Sequence, residues 1–240
     1  MQAPHRGAMM HDSSEKMTAL VQLAGTVAHE LNNIFTAVSG NISLLHQDGG
    51  IDADQATTIR DIVRAAQRGI DLTSKLQAFA GRQRLDRKPL DINATLSRTM
   101  RELRHALSTV AVRTTLAEGE LVAYLDEEKF VDTVKELIKN ACAAMPSIGG
   151  RLVVETWRKL DDRRQPQAVL RVSDNGNGMP PEIMARAMEP LFTTNPRGIH
   201  AGWGLSYCVG FIRQCGGRMT LHSEPGKGTV IDISLPLDTL

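Results

Sequence analysis

The stretch that decides the first part of the fold is LVQLAGTVAHELNNIFTAVSGNISLL, residues 20–45. Its apolar residues recur in alternating steps of four and three, the spacing of a heptad seam along one long helix. One seam position, Asn41, is polar. A turn-forming DGG follows at 48–50, and the same spacing resumes from Ile62 to Phe79. We predict a hairpin of two antiparallel helices whose apolar surface is completed by a second copy, giving a four-helix bundle.

His29 lies on the face of the first helix that points away from this seam. With Ala24 and Val27 at positions a and d of the heptad, His29 falls at position f, which faces solvent. Asn33 is four residues further on and shares that face, and Glu30 is adjacent. A carboxylate beside an imidazole can hold the Nδ1 proton and leave Nε2 free to attack. The pattern fits a nucleophilic histidine, and an ordinary surface histidine is the alternative.

Composition narrows the classes of function. The 240 residues carry a formal net charge of +1, which gives no indication of a nucleic-acid or membrane-surface partner. No window approaches the roughly 18 apolar residues of a membrane span. The three cysteines are odd in number and form no CxxC pair. We therefore expect a reducing, cytoplasmic setting.

The chain divides into a flexible tail over 1–14, a helical domain over 15–86 and a second domain over 87–240. The tail is short, polar and aperiodic. A basic run at 82–88 and the following Pro89 mark the domain boundary, because proline interrupts a helical period.

The second domain alternates helical and strand-like patterns. We predict helices near 91–107 and over 127–145, the latter capped by Asp126, and a short strand at 121–125. Four further runs have strand character: RLVVETW, AVLRVSD, RMTLHS and TVIDISL. This order predicts a mixed sheet covered by helices on one face, an α/β sandwich.

Three glycine-rich segments interrupt these elements: DNGNGM at 174–179, GWGL at 202–205 and GKGT at 226–229. Glycines two residues apart let a backbone approach a flat ligand or phosphates closely. The carboxylate of Asp174 can accept a hydrogen bond from an exocyclic amine. GWGL opens a predicted helix, whose free N–H groups can hold phosphate oxygens. Each segment alone is equally typical of a hairpin or a cap, and neither a Walker loop nor an early GxGxxG is present.

Glu136 and Asn140 share one face of the helix predicted at 127–145, since they are four residues apart. A carboxylate and an amide placed in this way supply oxygen ligands suited to Mg²⁺. An ordinary solvated helix face is the alternative interpretation.

Taken together and in this order, these segments resemble the motifs of the sensor histidine kinases. HELNN at 29–33 resembles the H box, ELIKNA at 136–141 the N box, and PLFTT at 190–194 the F box. DNGNGM, GWGL and GKGT resemble the three glycine-rich loops. The resemblance covers nearly all of the chain after residue 17. The residues in and around the motifs are most similar to those of the nitrogen- and oxygen-sensing branch.

The resemblance implies a helical dimerisation domain followed by a GHKL-type ATP-binding α/β sandwich. It implies that His29 accepts the γ-phosphoryl group of ATP, that Glu30 acts as general base, and that Asn33 positions water for dephosphorylating a response regulator. Mg²⁺ would be held by Asn140 with Glu136 beside it. The remaining ATP contacts would come from Asp174, Gly176, Gly178, Phe192, Thr194, Gly202, Gly204, Leu205 and Thr229, under a lid formed by residues 182–204. The implied partners are a second copy and a receiver domain in trans. Because only about 16 residues precede the bundle, we expect the input signal to come from a separate sensor protein, from the short tail, or not at all.

Four positions depart from the family pattern. Asn195 stands where the branch usually has Lys, His200 and Ala201 stand where Gly and Thr are usual, and Ala143 replaces a common Asp. Each change removes a contact worth roughly 1.5–3 kcal/mol, and Arg197 or His200 can compensate. Two alternatives therefore stay open. One is a histidine phosphotransfer or phosphatase protein with degenerate ATP binding, and the other is a GHKL-type ATPase or interaction module without histidine phosphorylation.

Overall fold

The computed structural model describes residues 31, 34–36, 38, 42, 53–190, 192–194 and 202–238. The chain divides between Gln83 and Arg84 into two compact units. The assignment of functional domains to 15–86 and 87–240, and of a tail to 1–14, stays a prediction. The following residues discussed above lie outside the described part: Ala24, Val27, His29, Glu30, Asn33, Asn41, Asn195, Arg197, His200 and Ala201.

The described part of the first unit is helical up to Phe79. Leu31, residues 34–36, Val38 and Ile42 are helical, and helix α1 spans Ala53–Phe79. The predicted second helix is confirmed, but it starts well before the first seam residue. Its opening turns, ADQATTIRD, are too polar to show an apolar period. The two helices touch where the ring of Phe35 lies against Gly69.

The seam of the first unit leaves large apolar side chains open to solvent. Ile34 is 56% exposed, Ile62 is 42% exposed, and Leu31 and Val38 are each 37% exposed. Apolar surface of this kind is usually buried against a partner. The exposure is what the heptad pattern predicts for one copy of a bundle that two copies complete.

The second unit is built on a five-stranded sheet with the order β2 (Ala111–Thr115), β4 (Arg151–Leu160), β5 (Pro166–Asp174), β7 (Gly228–Pro236) and β6 (Arg218–Glu224). Strand β2 runs parallel to β4, and every other neighbouring pair is antiparallel. The predicted mixed sheet is therefore confirmed. Strands β1 (Lys88–Asp91) and β3 (Val122–Leu125) form a separate antiparallel pair.

Helices pack on one face of this sheet. They are α2 (Ile92–Glu102), α3 (Glu127–Ala144), the short α4 (Pro181–Met184) and α5 (Gly204–Gln214). Residues 152, 154 and 156 of β4 are buried while their neighbours are partly exposed, as expected for a sheet with one covered face. Phe130 of α3 and Phe211 of α5 are fully buried in the resulting core. The α/β sandwich is thus confirmed.

One local prediction differs from the structure, and two strands lie where the sequence patterns predict none. The helix predicted at 91–107 ends at Glu102, and residues 103–108 form turns, because Arg104 and His105 are exposed and extend no apolar face. Strand β2 was not predicted, since all five of its residues are exposed and show no inward alternation. Strand β1 contains Pro89, which is tolerated there because its two-stranded sheet pairs it on one side only.

Candidate nucleotide-binding site

Helix α3 supplies one wall of the site. It begins after Asp126, whose side chain accepts a hydrogen bond from the backbone N–H of Lys129 at 3.2 Å. Two acidic residues in its first turn favour the positive end of the helix dipole. Its buried stripe, including Phe130 and Leu137, fixes its rotation against the sheet. This rotation turns Asn140 towards a cavity at the C-terminal end of the helix.

The loop after β5 is tied to the end of α3. The Asp174 carboxylate accepts a hydrogen bond from the Gly176 N–H at 2.8 Å. The Asn177 N–H donates to the Ala144 carbonyl at 2.9 Å, and the Asn177 carbonyl accepts from the Gly226 N–H at 2.7 Å. A Cβ at Gly176 would lie 2.6 Å from the Ala144 carbonyl oxygen, so only glycine fits. The first and third glycine-rich segments are therefore bonded into one structure.

Two other glycines let these segments approach each other. Gly178 has φ +63°, and a side chain there would collide with the Glu224 carbonyl. Gly228 has φ +94°, and a side chain there would collide with the Asp174 carbonyl. Both residues combine a left-handed backbone with a close approach, the two conditions that favour glycine most strongly.

The Asp174 carboxyl group is electrostatically unusual. Burial raises its pKa, and hydrogen bonds from the backbone of Gly176 and Thr229 hold part of that rise back. A carboxylate that is partly desolvated and oriented by backbone donors is a strong acceptor for an N–H group of a ligand.

A cavity of ≈ 370 Å³ opens beside this carboxylate. Predicted residues on its lining are Asn140, Asp174, Gly178, Phe192, Thr194, Gly202, Gly204, Leu205 and Thr229. Gly176 and Glu136 are not on the lining. Gly176 instead shapes the loop behind the cavity, and Glu136 lies beside Gly204.

Most of the residues that the sequence analysis missed are apolar. They include Leu137, Val172, Met179, Ile183, Leu221 and Ile231. Together they form a wall suited to a flat apolar ring. Val172 and Ile231 occupy inward positions of β5 and β7, where the strand pattern predicts core residues whether or not a cavity is present. No signal in the sequence distinguishes an apolar residue that lines a cavity from one that packs in the core.

Glu136 and Asn140 lie beside the first residue of α5. A Cβ at Gly204 would be 2.9 Å from Glu136 Oε2 and 3.3 Å from Asn140 Nδ2. Glu136 is mostly buried and pairs with Lys139 at 3.6 Å. An amide oxygen and a carboxylate fit Mg²⁺, which takes few protein ligands and completes its shell with water and phosphates.

The N-terminus of α5 faces the cavity through Gly204 and Leu205. Among the described residues, no side chain caps this end, since the N-cap residue Trp203 makes no side-chain cap bond. Tyr207 is the residue whose N–H makes the bond to the Trp203 carbonyl. Within the described residues, the preceding N–H groups therefore have no side-chain cap and are oriented to bind an anion.

Comparison with known families agrees with this geometry. Residues 19–84 match the His Kinase A (phospho-acceptor) domain. Residues 125–239 match the histidine kinase-, DNA gyrase B- and HSP90-like ATPase domain. The chain carries the core of a sensor histidine kinase. In this kinase core the phospho-acceptor domain comes first and the GHKL-type ATPase domain second.

Individual relatives are similar over nearly the whole kinase core. Sensor kinase CckA of Brucella abortus is 34% identical over 93% of this chain and 25% of its own length. Sporulation kinase C of Bacillus subtilis is 29% identical over 93% of this chain and 50% of its own. Sensory histidine kinase/phosphatase NtrB of Azospirillum brasilense is 24% identical over 94% of this chain and 57% of its own. The chain therefore spans between a quarter and somewhat over half of these relatives.

Solved structures share the fold of the kinase core. Full-length ShkA, in complex with AMPPNP, is similar over 91% of this chain and 46% of its own, with a TM-score of 0.65 and 20% identity. The mycobacterial sensor histidine kinase MprB is similar over 64% of this chain and 99% of its own, with a TM-score of 0.55 and 24% identity. Within the described part of the kinase core, no helix has the length and apolar character needed to span a bilayer.

Proposed function

We propose that this chain transfers the γ-phosphoryl group of ATP to His29 and then passes it to an Asp of a response regulator receiver domain in trans. The observation that supports this proposal most directly is that Asn140, the loop after Asp174 and the N-terminus of α5 all line one cavity of ≈ 370 Å³. An apolar wall for a base, a carboxylate for an amine and a helix N-terminus for phosphates are the three parts that an ATP site needs.

Recognition of the base rests on Asp174. Its carboxylate accepts from the exocyclic amine of adenine, and the Gly176 N–H holds the carboxylate in place. The ring lies against the apolar wall, which includes Val172 and Ile231. Guanine carries a carbonyl oxygen at the position of the adenine 6-amine and would place an acceptor against the Asp174 carboxylate, so we expect the site to favour adenine over guanine.

The phosphate end combines α5 with the polar face of α3. The free N–H groups near Gly204 and Leu205 receive phosphate oxygens. Asn140 and Glu136 would hold Mg²⁺, which neutralises charge as the γ-phosphoryl group is transferred. Because such transfer depends mainly on positioning and charge, the protein needs no covalent help beyond the acceptor imidazole.

His29 is the acceptor. Glu30 holds the proton on Nδ1, so that the Nε2 lone pair forms a bond to the γ-phosphorus while the bond to the bridging oxygen breaks and ADP leaves. Asn33 positions a water molecule for the phosphatase reaction, in which the phosphorylated regulator is hydrolysed. These three roles rest on the sequence pattern and on the matched phospho-acceptor domain.

The working form that we propose is a homodimer. Its support is the exposed seam of the first unit, in particular Ile34 and Ile62, together with the matched phospho-acceptor domain. We further propose a cytoplasmic setting, consistent with three cysteines that form no disulfide, and membership of the nitrogen- and oxygen-sensing branch. The amino-acid sequence of the motifs supports that branch.

The direct test is incubation of the full chain with γ-labelled ATP and Mg²⁺. We expect acid-labile, base-stable label in the wild type and none in His29→Ala. His222→Ala, which changes an exposed histidine on β6, is the matched control and should label normally. Label that survives in His29→Ala would overturn the assignment of the acceptor.

A second candidate function is a phosphotransfer or phosphatase protein with degenerate ATP binding. It is favoured by Ala143, which lines the cavity where the family commonly has Asp. ATP titration of the unlabelled protein separates the two functions. Absence of ATP binding, combined with phosphoryl exchange between His29 and a phosphorylated regulator, would establish the second candidate.

A further inference from the structure

Arg186 lies beside the cavity without lining it. Its guanidinium carbon is 4.3 Å from the centroid of the Phe192 ring. Its Nε donates to Glu189 Oε2 at 3.0 Å. Phe192 does line the cavity and is half-buried. The cation therefore covers one side of a ring that borders the cavity.

The backbone around Arg186 is also fixed. The Arg186 N–H donates to the Ile183 carbonyl at 3.1 Å, and the Arg186 carbonyl accepts from the Glu189 N–H at 2.8 Å. Ile183 is itself part of the cavity lining. Two backbone bonds and one ion pair thus hold Arg186 in a position from which its side chain reaches Phe192.

We infer that Arg186 is a positioning residue that holds the Phe192 ring against the bound nucleoside and thereby sets nucleotide affinity. This inference rests on the proposed ATP site. An exposed cation–π contact changes an equilibrium by roughly two- to fivefold. Loss of Arg186 should therefore weaken binding by about that factor, through Phe192 alone.

A direct contact between Arg186 and the phosphates would give a different pattern of affinities. Its effect would grow with the number of phosphates and would vanish for adenosine. A positioning role through the ring acts on the nucleoside part, so ATP, ADP and adenosine should lose affinity by the same factor.

The experiment is a double-mutant cycle on the full chain, with affinities for ATP, ADP and adenosine measured by calorimetry in Mg²⁺ buffer. Arg186→Gln should weaken all three ligands by roughly two- to fivefold, whereas Arg186→Lys, which keeps the charge, should stay within about twofold of the wild type. In a Phe192→Leu background, Arg186→Gln should have no further effect. The matched control Arg218→Gln, on the exposed start of β6, should bind like the wild type.

Three results would overturn the inference while leaving the ATP site intact. They are unchanged affinities in Arg186→Gln, a loss confined to ATP and ADP, or an equal loss in the Phe192→Leu background. Failure of the wild type to bind any of the three ligands would instead remove the proposed ATP site and this inference with it.

Discussion

The ring of Phe35 occupies the space that a side chain at Gly69 would fill. Gly69 lies in the middle of α1, where glycine normally weakens a helix. The close approach of the ring explains why glycine is nevertheless present. It also fixes the position of the Phe35 ring relative to α1.

Gly69→Ala should destabilise the first unit despite the better helix propensity of alanine. Propensity alone would favour alanine by about 1 kcal/mol, whereas overpacking against an aromatic ring costs about 1–3 kcal/mol. We expect a net loss, measured as the free energy of unfolding in urea followed by helical circular dichroism.

Two variants control this measurement. Ser74→Ala, at an exposed position of α1, should change the free energy of unfolding by less than about 0.5 kcal/mol. Adding Phe35→Leu to Gly69→Ala should restore part of the loss, because the smaller side chain vacates the space. A stabilising effect of Gly69→Ala would show that the ring does not constrain α1.

Gly178→Ala should cost much more stability than Gly226→Ala. Both glycines have a positive φ, +63° and +74°, so each substitution carries about 1–2 kcal/mol of backbone strain. Gly226 has open space where its Cβ would stand, while Gly178 faces the Glu224 carbonyl. The extra clash should add about 1–3 kcal/mol. Denaturant unfolding of both variants gives the comparison, and equal losses would refute the interlocked loops.

Asp174→Asn should abolish most nucleotide binding without unfolding the protein. The amide oxygen can still accept from the Gly176 N–H, but the adenine amine loses its charged acceptor. We expect affinity for ATP to fall by one to two decades, from about 1.5–3 kcal/mol for a charge-assisted hydrogen bond. Calorimetry measures the affinity, and an unchanged melting temperature shows that the fold is kept.

The same carboxyl group predicts a pH dependence. Burial raises the pKa of Asp174 in the folded protein. The ionised group therefore costs stability at neutral pH, and this cost decreases as pH falls through the raised pKa. Adenosine affinity should decrease over that same range, because the protonated carboxyl no longer accepts well. Affinity in Asp174→Asn should lack this step, and an identical pH profile in both proteins would exclude Asp174 as the acceptor.

Thr156→Val should destabilise the sandwich although the two side chains have nearly the same shape. Thr156 is buried, donates to Asn93 Oδ1 at 2.7 Å and accepts from the Ala117 N–H at 2.9 Å. Valine leaves both partners unsatisfied, which costs about 1–3 kcal/mol. Thr114→Val on the exposed β2 is the matched control and should be nearly neutral. Equal unfolding free energies for the two variants would contradict this reading of the bond network.

The sequence predicts an element well where several independent signals indicate the same boundaries and the same buried face. Helix α3 is predictable because Asp126, the acidic first turn and the apolar period all indicate the same start and the same buried face. Strands β4 and β7 are predictable because buried and partly exposed residues alternate along most of their length. Strand β2 is not, because all of its residues are exposed at the sheet edge.

The polar and glycine residues of the site can be predicted from the sequence more readily than the apolar residues that line its cavity. Asp174 stands out because it precedes two closely spaced glycines at the end of a strand pattern, and Asn140 stands out because it shares a helix face with Glu136. Val172 and Ile231 do not stand out, because an apolar residue that borders a cavity follows the same strand alternation as one that borders a neighbour. The sequence does not indicate Arg186 for a related reason. Phe192 belongs to a recognisable motif, whereas the arginine that contacts its ring is exposed and has no distinguishing pattern around it.

Gly178 and Gly228 each leave no room for a side chain because the other's segment is in the way. A larger residue at either position pushes on the backbone of the opposite loop, so no adjustment within one loop can accommodate it. We therefore expect the DNGNG and GKGT segments to accept larger residues only when both change together, although they lie far apart in the chain. A chimeric chain that took only its last two strands from a relative would then combine two loops whose shapes are not matched to each other.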